Sequence, residues 1–474
     1  MEFEAVIGLE IHVEMKTKSK MFSNGKVEYG DEPNTNTVPL DLAFPGTLPS
    51  VNKQAVINAI RVCHALHMEI DDLICFDRKN YFYSDLPKGY QITQQFRPIG
   101  KSGYLEIETS KGLRRIYIER LHMEEDTCKQ LHSWDCSLLD YNRAGIPLIE
   151  IVSKPDIRTG EEAMKYVERI RSIVAFLEVS DGKMEEGSLR CDVNISLKEK
   201  GSTTFGTKVE IKNLNSLANI QKAIDYEIYR QSEILLSGSS VQQETRRFDE
   251  GKKETVLMRV KTDAVDYKYF VEPNIPPIQL SKEFIDNAIN TSNELAEAKL
   301  VRYKTLGLSD YDCSLLLCNK DISIYFDEAL KDNVSPKLLA NWIIVDVQAV
   351  LNKEMIDIKD FSITPHRLAS LIKSIENKEI SNKQAREIFQ VMIISDKSVN
   401  EIMKELGFVL LSDSDQLLKI INEVLDNNAQ SIIDFKNGKD RALGFIVGQV
   451  MKATKGQANP AVTAKLVLEQ IKLR

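Results

Sequence analysis

The stretch Gly8-Leu-Glu-Ile-His-Val-Glu14 alternates apolar and polar side chains. Because successive side chains of a β-strand point to opposite faces, this period of two predicts a strand with one buried face and one polar face. The polar face presents Glu10, His12 and Glu14, of which we expect Glu14 to be solvated. The stretch therefore predicts a sheet that carries acids and an imidazole on its second face.

Other segments add polar groups to such a sheet. The stretches 189–195 and 208–212 alternate in the same way, Glu150 interrupts an apolar run in which a carboxylate needs a partner, and the segment 120–126 is rich in acids. Together they contribute Arg190, Asp192, Asn194, Glu210, Lys212, Glu150, His122, Glu124 and Glu125.

One polar face per strand is also normal for a half-solvated antiparallel sheet, so each segment alone has that simpler interpretation. In combination, carboxylates and a histidine suit Mg²⁺ or Mn²⁺, whereas Lys and Arg suit phosphate oxygens. The pattern indicates metal-assisted phosphate chemistry. The sequence contains neither a Walker-type phosphate loop nor a dinucleotide-binding glycine motif, so the site is of an uncommon kind.

Periodicity divides the chain into an α+β part and a helical part. Strand-like alternation dominates to about residue 280, with helices predicted at 53–66 and 160–177. Beyond Pro277 the period becomes helical, over 281–306, 337–352, 364–376 and 382–392. A last helix is predicted from Pro460, which follows a good N-cap in Asn459. We predict three domains, with the ranges 1–290, 291–405 and 406–474.

Composition and charge limit the class of protein. With 43% hydrophobic and 28% charged residues, the chain is typical of a globular enzyme, and we expect it to be cytoplasmic because its start resembles no signal peptide. The net charge is −8. From Lys436 to Arg474, eight basic residues stand against two acids, which gives this tail +6 and leaves −14 for the rest. A basic tail on an acidic body is suited to holding a polyanion, although a solvated helical surface would have the same composition.

Cysteine usage gives no clear framework. Seven cysteines scattered through a chain without a secretion signal argue against disulfides. Cys128, His132 and Cys136 stand four apart, which on a helix would place them on one face. Incidental surface chemistry is the favoured interpretation, because a structural zinc site normally has four ligands in paired short spacings.

Several motifs resemble those of the GatB subunits of tRNA-dependent amidotransferases, in the order expected of that family and over nearly the whole chain. They include Val6-Ile-Gly-Leu-Glu-Ile-His-Val13, Phe76-Asp-Arg-Lys-Asn-Tyr-Phe-Tyr83, Leu121-His-Met-Glu-Glu-Asp126, Asp140-Tyr-Asn-Arg-Ala-Gly-Ile-Pro-Leu-Ile-Glu-Ile-Val152 and Glu186-Gly-Ser-Leu-Arg-Cys-Asp-Val-Asn-Ile-Ser196.

This resemblance implies a cradle-shaped catalytic domain with a mixed or antiparallel sheet, then an all-α domain and a small YqeY-like tail. It also implies ATP-dependent amidation of Glu-tRNA(Gln) or Asp-tRNA(Asn), with Mg²⁺, in a heterotrimer with an amidase partner (GatA) and a small partner (GatC). ATP phosphorylates the side-chain carboxylate, and ammonia from the amidase displaces the phosphate. The physiological product depends on the synthetases of the cell.

Residue roles are carried over only where the motifs match. The residues expected to line the metal and phosphate site are Glu10, His12, Glu125, Glu150 and Asp192. The residues expected to hold phosphate or handle protons are Lys79, Arg190, Glu210 and Lys212. The residues expected to contact tRNA are Lys436, Lys439, Arg441, Lys452 and Lys455.

Simpler structural interpretations stand beside these roles. Arg190 could form a salt bridge with Asp192, and Tyr81, Phe82 and Tyr83 could belong to a core-packed loop.

Two segments depart from the family pattern, and two other functions compete with the one that the resemblance implies. Many relatives carry a C-x-x-C pair where this chain has the cysteine-free segment 34–44, so no structural zinc is predicted there. The local turn at 266–272 also differs from the family pattern. No amidase or glutaminase signature occurs, so ammonia must come from another protein of the complex. A metal-dependent RNA hydrolase and a non-catalytic tRNA scaffold are the competing functions.

Overall fold

The computed structural model describes residues 2–260, 266–408, 414–436, 441–454 and 460–474. The chain forms two compact units, Met1–Ala296 and Glu297–Arg474, and each is described by itself. None of the helices in the described part of the chain is both long and apolar enough to span a bilayer.

The first unit is built from strands and four helices. The strands are β1 (Phe3–Glu14), β2 (Glu69–Ile70), β3 (Leu73–Ile74), β4 (Asp77–Asn80), β5 (Tyr90–Thr93), β6 (Gly100–Thr109), β7 (Gly112–Glu125), β8 (Lys129–His132), β9 (Ser137–Asp140), β10 (Pro147–Ser153), β11 (Leu189–Glu199), β12 (Val209–Lys212), β13 (Glu244–Asp249), β14 (Glu254–Val260), β15 (Phe270–Val271) and β16 (Ile278–Gln279). The helices are α1 (Lys53–Ala65), α2 (Gly160–Phe176), α3 (Leu217–Leu236) and α4 (Lys282–Asn290).

A nine-stranded sheet organises this unit, in the order β14-β13-β12-β11-β1-β10-β7-β6-β2. Its pairs are antiparallel except β12 and β13, which run parallel. Three smaller sheets have the orders β15-β4-β5, β16-β3 and β8-β9. The predicted α+β class, with a mixed and mainly antiparallel sheet, is confirmed.

The period of two in β1 sorts its side chains as predicted. Leu9, Ile11 and Val13 are buried in the hydrophobic core, which α1, α2 and α3 also line. Each of these helices begins after a residue whose side-chain oxygen accepts backbone N–H groups, namely Asn52, Thr159 and Ser216 respectively. The opposite face of the sheet carries the polar residues.

The second unit is helical. Its helices are α5 (Ala296–Thr305), α6 (Asp310–Leu317), α7 (Lys320–Leu330), α8 (Pro336–Trp342), α9 (Gln348–Glu354), α10 (Pro365–Glu376), α11 (Asn382–Ile394), α12 (Val399–Glu405), α13 (Ser414–Asn427), α14 (Ala429–Lys436), α15 (Arg441–Ala453) and α16 (Pro460–Leu473). A π-helical segment, Ile343–Val347, joins α8 to α9, and a 3₁₀ turn occupies Ile358–Asp360. One hydrophobic cluster extends from Tyr303 to Met403, and a second from Leu417 to Ile471.

One prediction about local structure is corrected, because the helix predicted at 281–306 is two helices, α4 and α5. Helix α3 was not predicted, because buried Glu227 and Gln231 interrupt its apolar face. The trio Cys128, His132 and Cys136 does not lie on a helix: Cys128 precedes β8, His132 ends β8 and Cys136 lies in the turn before β9.

Candidate functional site

Strand register brings the predicted polar residues together across β1. Glu10 lies opposite Asp192 on β11, and His12 lies opposite Glu150 on β10. Glu150 in turn lies opposite His122 on β7. Directly opposed residues on one face are neighbours, so four strands build one continuous polar surface.

The first cluster on this surface, the histidine–acid group, consists of His12, Glu124 and Glu150. One ligand atom from each lies within 4.8 Å of the others. His12 Nε2 is 3.5 Å from Glu150 Oε2 and 3.7 Å from Glu124 Oε1. His122 Nε2 approaches the same two carboxylates, at 3.1 Å from Glu150 and 3.7 Å from Glu124.

Protonation of the histidines balances these carboxylates. Burial alone would lower the pKa of His122, but Glu150 and Glu124 raise it to about 9. Burial alone would raise the pKa of Glu150, whereas His122 and His12 hold it well below its ordinary value. His122 Nδ1 is buried and has no hydrogen-bond partner among the described residues. The group therefore completes its charge balance with protons, which a bound cation could replace.

A second cluster, the three-acid group, lies on the other side of β1. It consists of Glu10, Asp192 and Glu210, again with one oxygen of each within 4.8 Å of the others. Lys212 Nζ lies 2.5 Å from Asp192 Oδ2 and 3.2 Å from Glu210 Oε1. Asn194 Nδ2 donates to Glu10 Oε1 at 2.9 Å. Burial, then Glu150 and Asp192, raise the pKa of Glu10, as expected where carboxylates crowd together.

A buried hydroxyl supports the three-acid group from the neighbouring strand. Thr245 on β13 donates through Oγ1 to Glu210 Oε2 at 3.0 Å, and Thr245 is buried. The sequence analysis did not identify Thr245, because its place beside Glu210 depends on the parallel pairing of β12 with β13. No local pattern encodes that pairing.

Lys79 reaches the histidine–acid group from the small sheet β15-β4-β5. Burial alone would lower the pKa of Lys79, but Glu124, Tyr269 and Glu150 raise it. Its Nζ lies 4.9 Å from the ring centroid of Tyr267, and it forms no hydrogen bond or ion pair within the described ranges. The ammonium is therefore available to an anionic group from outside the chain.

Arg190 and Glu14 occupy positions that the sequence analysis did not anticipate. Arg190 Nη2 donates to Asp126 Oδ2 at 2.6 Å, so Asp126 takes the place of Asp192 in the simpler salt-bridge interpretation. Glu14 is half-buried and not fully solvated, and burial together with the neighbouring Asp126 raises its pKa to about 8. Glu14 and Asp126 extend the polar surface toward a cavity of about 550 Å³, which Glu14 and Arg143 help to line.

Glu125 lies apart from both ligand groups. Strand alternation turns it away from Glu124, and it pairs with Lys88 and accepts the backbone N–H of Ile92 at 2.9 Å. The acid that His12 and Glu150 meet is Glu124. The phase of β7 could have identified it from the sequence, because His122 and Glu124 are two residues apart and share a face.

The basic tail is described only in part. Arg441 and Lys452 are exposed on α15, near its beginning and its end. Lys436 is the last residue of α14, and its side chain is not among those described. Lys439 and Lys455 lie outside the described residues. The expected core-packed loop at Tyr81, Phe82 and Tyr83 is also wrong in part, because Phe82 and Tyr83 are exposed.

The donor sets suit hard divalent cations. Carboxylate oxygens with at most one imidazole are ligands that Mg²⁺ and Mn²⁺ accept, and the absence of thiolates from both groups disfavours softer metals. The residues present therefore fit the magnesium expected from the sequence.

Comparison with known proteins gives matches over most of the chain. Residues 5–286 match the family model of the GatB/GatE catalytic domain, and residues 324–471 match the model of the GatB domain. The B subunit of the aspartyl/glutamyl-tRNA(Asn/Gln) amidotransferase of Lysinibacillus sphaericus (strain C3-41) is 50% identical over 475 residues, with both chains covered completely. Proteins of the same name from Bacillus mycoides (strain KBAB4) and Bacillus cereus (strain AH187) are also 50% identical over their full length.

Proposed function

The chain belongs to the GatB family, and on this premise we propose that it activates the side-chain carboxylate of Glu-tRNA(Gln) or Asp-tRNA(Asn) with ATP. It is a subunit of a glutamine-hydrolysing amidotransferase that acts in the amidation of these tRNAs. The observation that carries the proposed mechanism is the pair of ligand groups on either side of β1, with Lys79 and Lys212 beside them.

The chemistry requires an activated acyl group. A carboxylate is a poor acceptor for ammonia until one of its oxygens becomes part of a good leaving group. We propose that this oxygen attacks the γ-phosphorus of ATP, which releases ADP and forms an acyl phosphate. Ammonia then attacks the acyl carbon, the bond from that carbon to the phosphate oxygen breaks, and the nitrogen loses a proton to give the amide and inorganic phosphate.

The residues divide this work by charge. Glu10, Asp192 and Glu210 would hold one magnesium ion, and His12 with Glu150 and Glu124 a second. Bound magnesium supplies charge stabilisation at the phosphate oxygens. The ammonium of Lys212 is held beside the three-acid group and orients the nucleotide phosphates. Lys79 meets the phosphoryl group or the substrate carboxylate at the histidine–acid group.

Arg190 takes an indirect part in this proposal. It binds Asp126 and fixes the adjacent end of the polar surface, where Glu14 faces Asp126. The predicted role of Glu125 as a metal ligand is replaced by Glu124, because Glu125 is engaged by Lys88 and by a backbone amide.

The remaining expectations concern partners and organisation. Ammonia comes from the amidase partner GatA, and the small partner GatC completes a heterotrimer, so the isolated chain would have little activity.

We retain three domains with the ranges 1–290, 291–405 and 406–474, and the YqeY-like tail would hold tRNA through Lys436, Lys439, Arg441, Lys452 and Lys455. The amidated product depends on which aminoacyl-tRNA synthetases the cell has. A cytoplasmic location follows from a role in translation.

The test is an amidation assay on the chain co-expressed with its amidase and small partners. Glu-tRNA(Gln), glutamine and Mg²⁺ are supplied with and without ATP, and we expect Gln-tRNA only with ATP. Asp192→Asn should abolish the amide while tRNA binding is retained. Asp286→Asn is the matched control, because Asp286 is half exposed on α4 and pairs only weakly with Lys282, at 3.8 Å.

Other outcomes would support the competing functions. Cleavage of the tRNA without ATP would favour the RNA hydrolase, and full activity of Asp192→Asn would favour a scaffold without catalytic acids. If a folded complex forms no amide from Glu-tRNA or Asp-tRNA, the proposed function is wrong.

A further inference from the structure

Four aromatic rings form a row beside Lys79, which we call the ring row. The ring centroids of Phe96 and Tyr269 are 6.4 Å apart, those of Tyr269 and Tyr267 6.0 Å, and those of Tyr267 and Tyr81 6.0 Å. Adjacent rings meet edge to face, with interplanar angles of 72°, 68° and 72° respectively. Edge-to-face contact leaves ring faces that are not covered by the neighbouring ring.

Phe96, at the outer end of the row, is exposed but held in place. Its relative exposure is 62%. The backbone N–H groups of Gln95 and Phe96 both donate to Asp77 Oδ2, at 2.8 and 2.9 Å, and Asp77 is buried. A fixed backbone that presents a large ring to solvent reduces the ordering cost of binding a flat partner.

The inner end of the row reaches the proposed reaction site. Tyr267 and Tyr81 flank Lys79 Nζ, with centroids at 4.9 and 6.0 Å. The strand that carries Lys79, β4, pairs with β5, where Thr93 Oγ1 donates to Glu124 Oε2 of the histidine–acid group at 3.4 Å. The row thus leads from solvent at Phe96 to the side of the polar surface where a carboxylate substrate would meet Lys79.

In the proposed aminoacyl-tRNA substrate, the base of the terminal adenosine lies close to the amino-acid side chain. In an aminoacyl-tRNA, only the amino acid, its ester and one ribose separate the side-chain carboxylate from the base of the terminal adenosine. That nucleotide is single-stranded, and proteins recognise such ends by stacking the base on aromatic side chains. A carboxylate bound at the histidine–acid group therefore brings the terminal adenine near the ring row.

We propose that Phe96 and Tyr269 form a stacking site for the terminal adenosine of the tRNA. This inference rests on the proposed function and identifies how that site holds its macromolecular substrate. The base of ATP is the competing occupant. The terminal adenosine is favoured because the three-acid group and Lys212, on the other side of β1, already provide a place for the phosphates of ATP.

The experiment compares tRNA(Gln) transcripts that end in CCA with transcripts shortened to CC, bound to the co-expressed complex. We expect the wild type to bind the CCA form about 5- to 150-fold more tightly, which is the usual range for one stacked base. Phe96→Leu should reduce this ratio toward one, and Phe96→Trp should restore it. Contacts of the basic tail are present with both transcripts and cancel in the ratio.

Phe205→Leu is the matched control. Phe205 has a relative exposure of 61% and makes no ring contact within the described part of the chain. It should keep the wild-type ratio. Each variant is checked by its melting temperature, so that loss of folding is not read as loss of stacking.

An unchanged CCA to CC ratio in Phe96→Leu would overturn the inference. If the KM for ATP also rises selectively in that variant, the rings are assigned to the base of ATP instead. Because binding needs no turnover, the wild-type amidation assay run alongside tests the proposed function separately.

Discussion

Two clusters in the first unit are both built around buried carboxylates, but their charge is balanced in different ways. Glu227 on α3 has no exposed surface. Arg230 Nε and Gln231 Nε2 donate to it at 2.9 Å, Arg246 Nε lies at 3.1 Å, and Thr255 Oγ1 at 2.5 Å. Every charge in this Glu227 cluster is balanced by a partner within the chain.

The histidine–acid group is balanced differently. Glu124 and Glu150 lie against His12 and His122, whose charge depends on bound protons. An arginine keeps its proton at any ordinary pH, whereas a histidine can release it. Permanent cations therefore fix the fold at Glu227, whereas the protons held by the histidine–acid group can be exchanged for a metal ion.

The largest expected effect is on stability at Glu227. Replacement by Ala removes the carboxylate and leaves Arg230 and Arg246, both largely buried, with Glu244 as their shared acid, which should cost about 3 kcal/mol. Glu150→Gln should cost less, because His12 and His122 can become neutral whereas the two arginines cannot. Denaturant titration of both variants measures the contrast, and equal losses would contradict it.

A metal should stabilise the protein through the histidine–acid group and the three-acid group, and not through the Glu227 cluster. At a hundredfold excess over its dissociation constant, Mg²⁺ or Mn²⁺ would stabilise the wild type by about 2.7 kcal/mol. Thermal unfolding with and without the ion measures this effect. Glu150→Gln and Asp192→Asn should each reduce the shift, while Glu168→Gln, in an exposed pair with Lys165, should keep it. No shift with either ion in the wild type would exclude a metal at these groups.

Two buried threonines test the supporting residues. Thr245→Val removes the donor to Glu210 and should weaken Mn²⁺ binding by about 5- to 10-fold, the equivalent of one hydrogen bond. Thr255 lies on β14, next to the strand that carries Thr245, and donates to Glu227 on α3. Thr255→Val should therefore lower stability and leave Mn²⁺ affinity unchanged. Thr245→Ser should restore binding. Equal loss of Mn²⁺ affinity in both valine variants would refute a positioning role for Thr245.

The smallest effect is expected at a third cluster, near the surface. Burial alone would raise the pKa of Asp71, but hydrogen bonds from Arg97 and Lys101 lower it to about 2. A carboxylate with a lowered folded-state pKa adds stability above its unfolded value near 4, and this is lost as the pH falls toward 2. Since both cations are partly exposed, we expect about 1 kcal/mol or less. The measurement is the free energy of unfolding of the wild type and of Asp71→Asn at pH 6 and at pH 2. If Asp71→Asn loses as much stability as the wild type between these two pH values, the assignment is wrong.

The sequence predicted those features that depend on the local periodicity of apolar and polar residues. Alternation in β1 identified Glu10 and His12, and the α+β class with a later helical part was correct for the same reason. The metal-site role was assigned to Glu125, although the phase of β7 puts Glu124, and not Glu125, on the same face as His122. The site residues supplied by pairing between distant strands, such as Thr245, have no local signal.

Helix α3 shows the converse limit. Its buried face contains Glu227 and Gln231 at positions where apolar residues would have revealed a helix. Those side chains are buried because Arg246 and Thr255, on strands further along the chain, neutralise and bind Glu227. Glu227 can be part of the core because its partners come from distant strands, and the local periodicity of the helix does not show those partners.

The position of β1 at the centre of the sheet constrains how the protein is made. Strand β1 is synthesised before both strands that flank it, because Glu10 pairs with Val152 and Asp192. Until both partners have been synthesised, the unpaired edges of an apolar strand remain open to other nascent chains. Growing chains that end before β11 should therefore bind chaperones, and the central part of the sheet should form only after β11 has emerged.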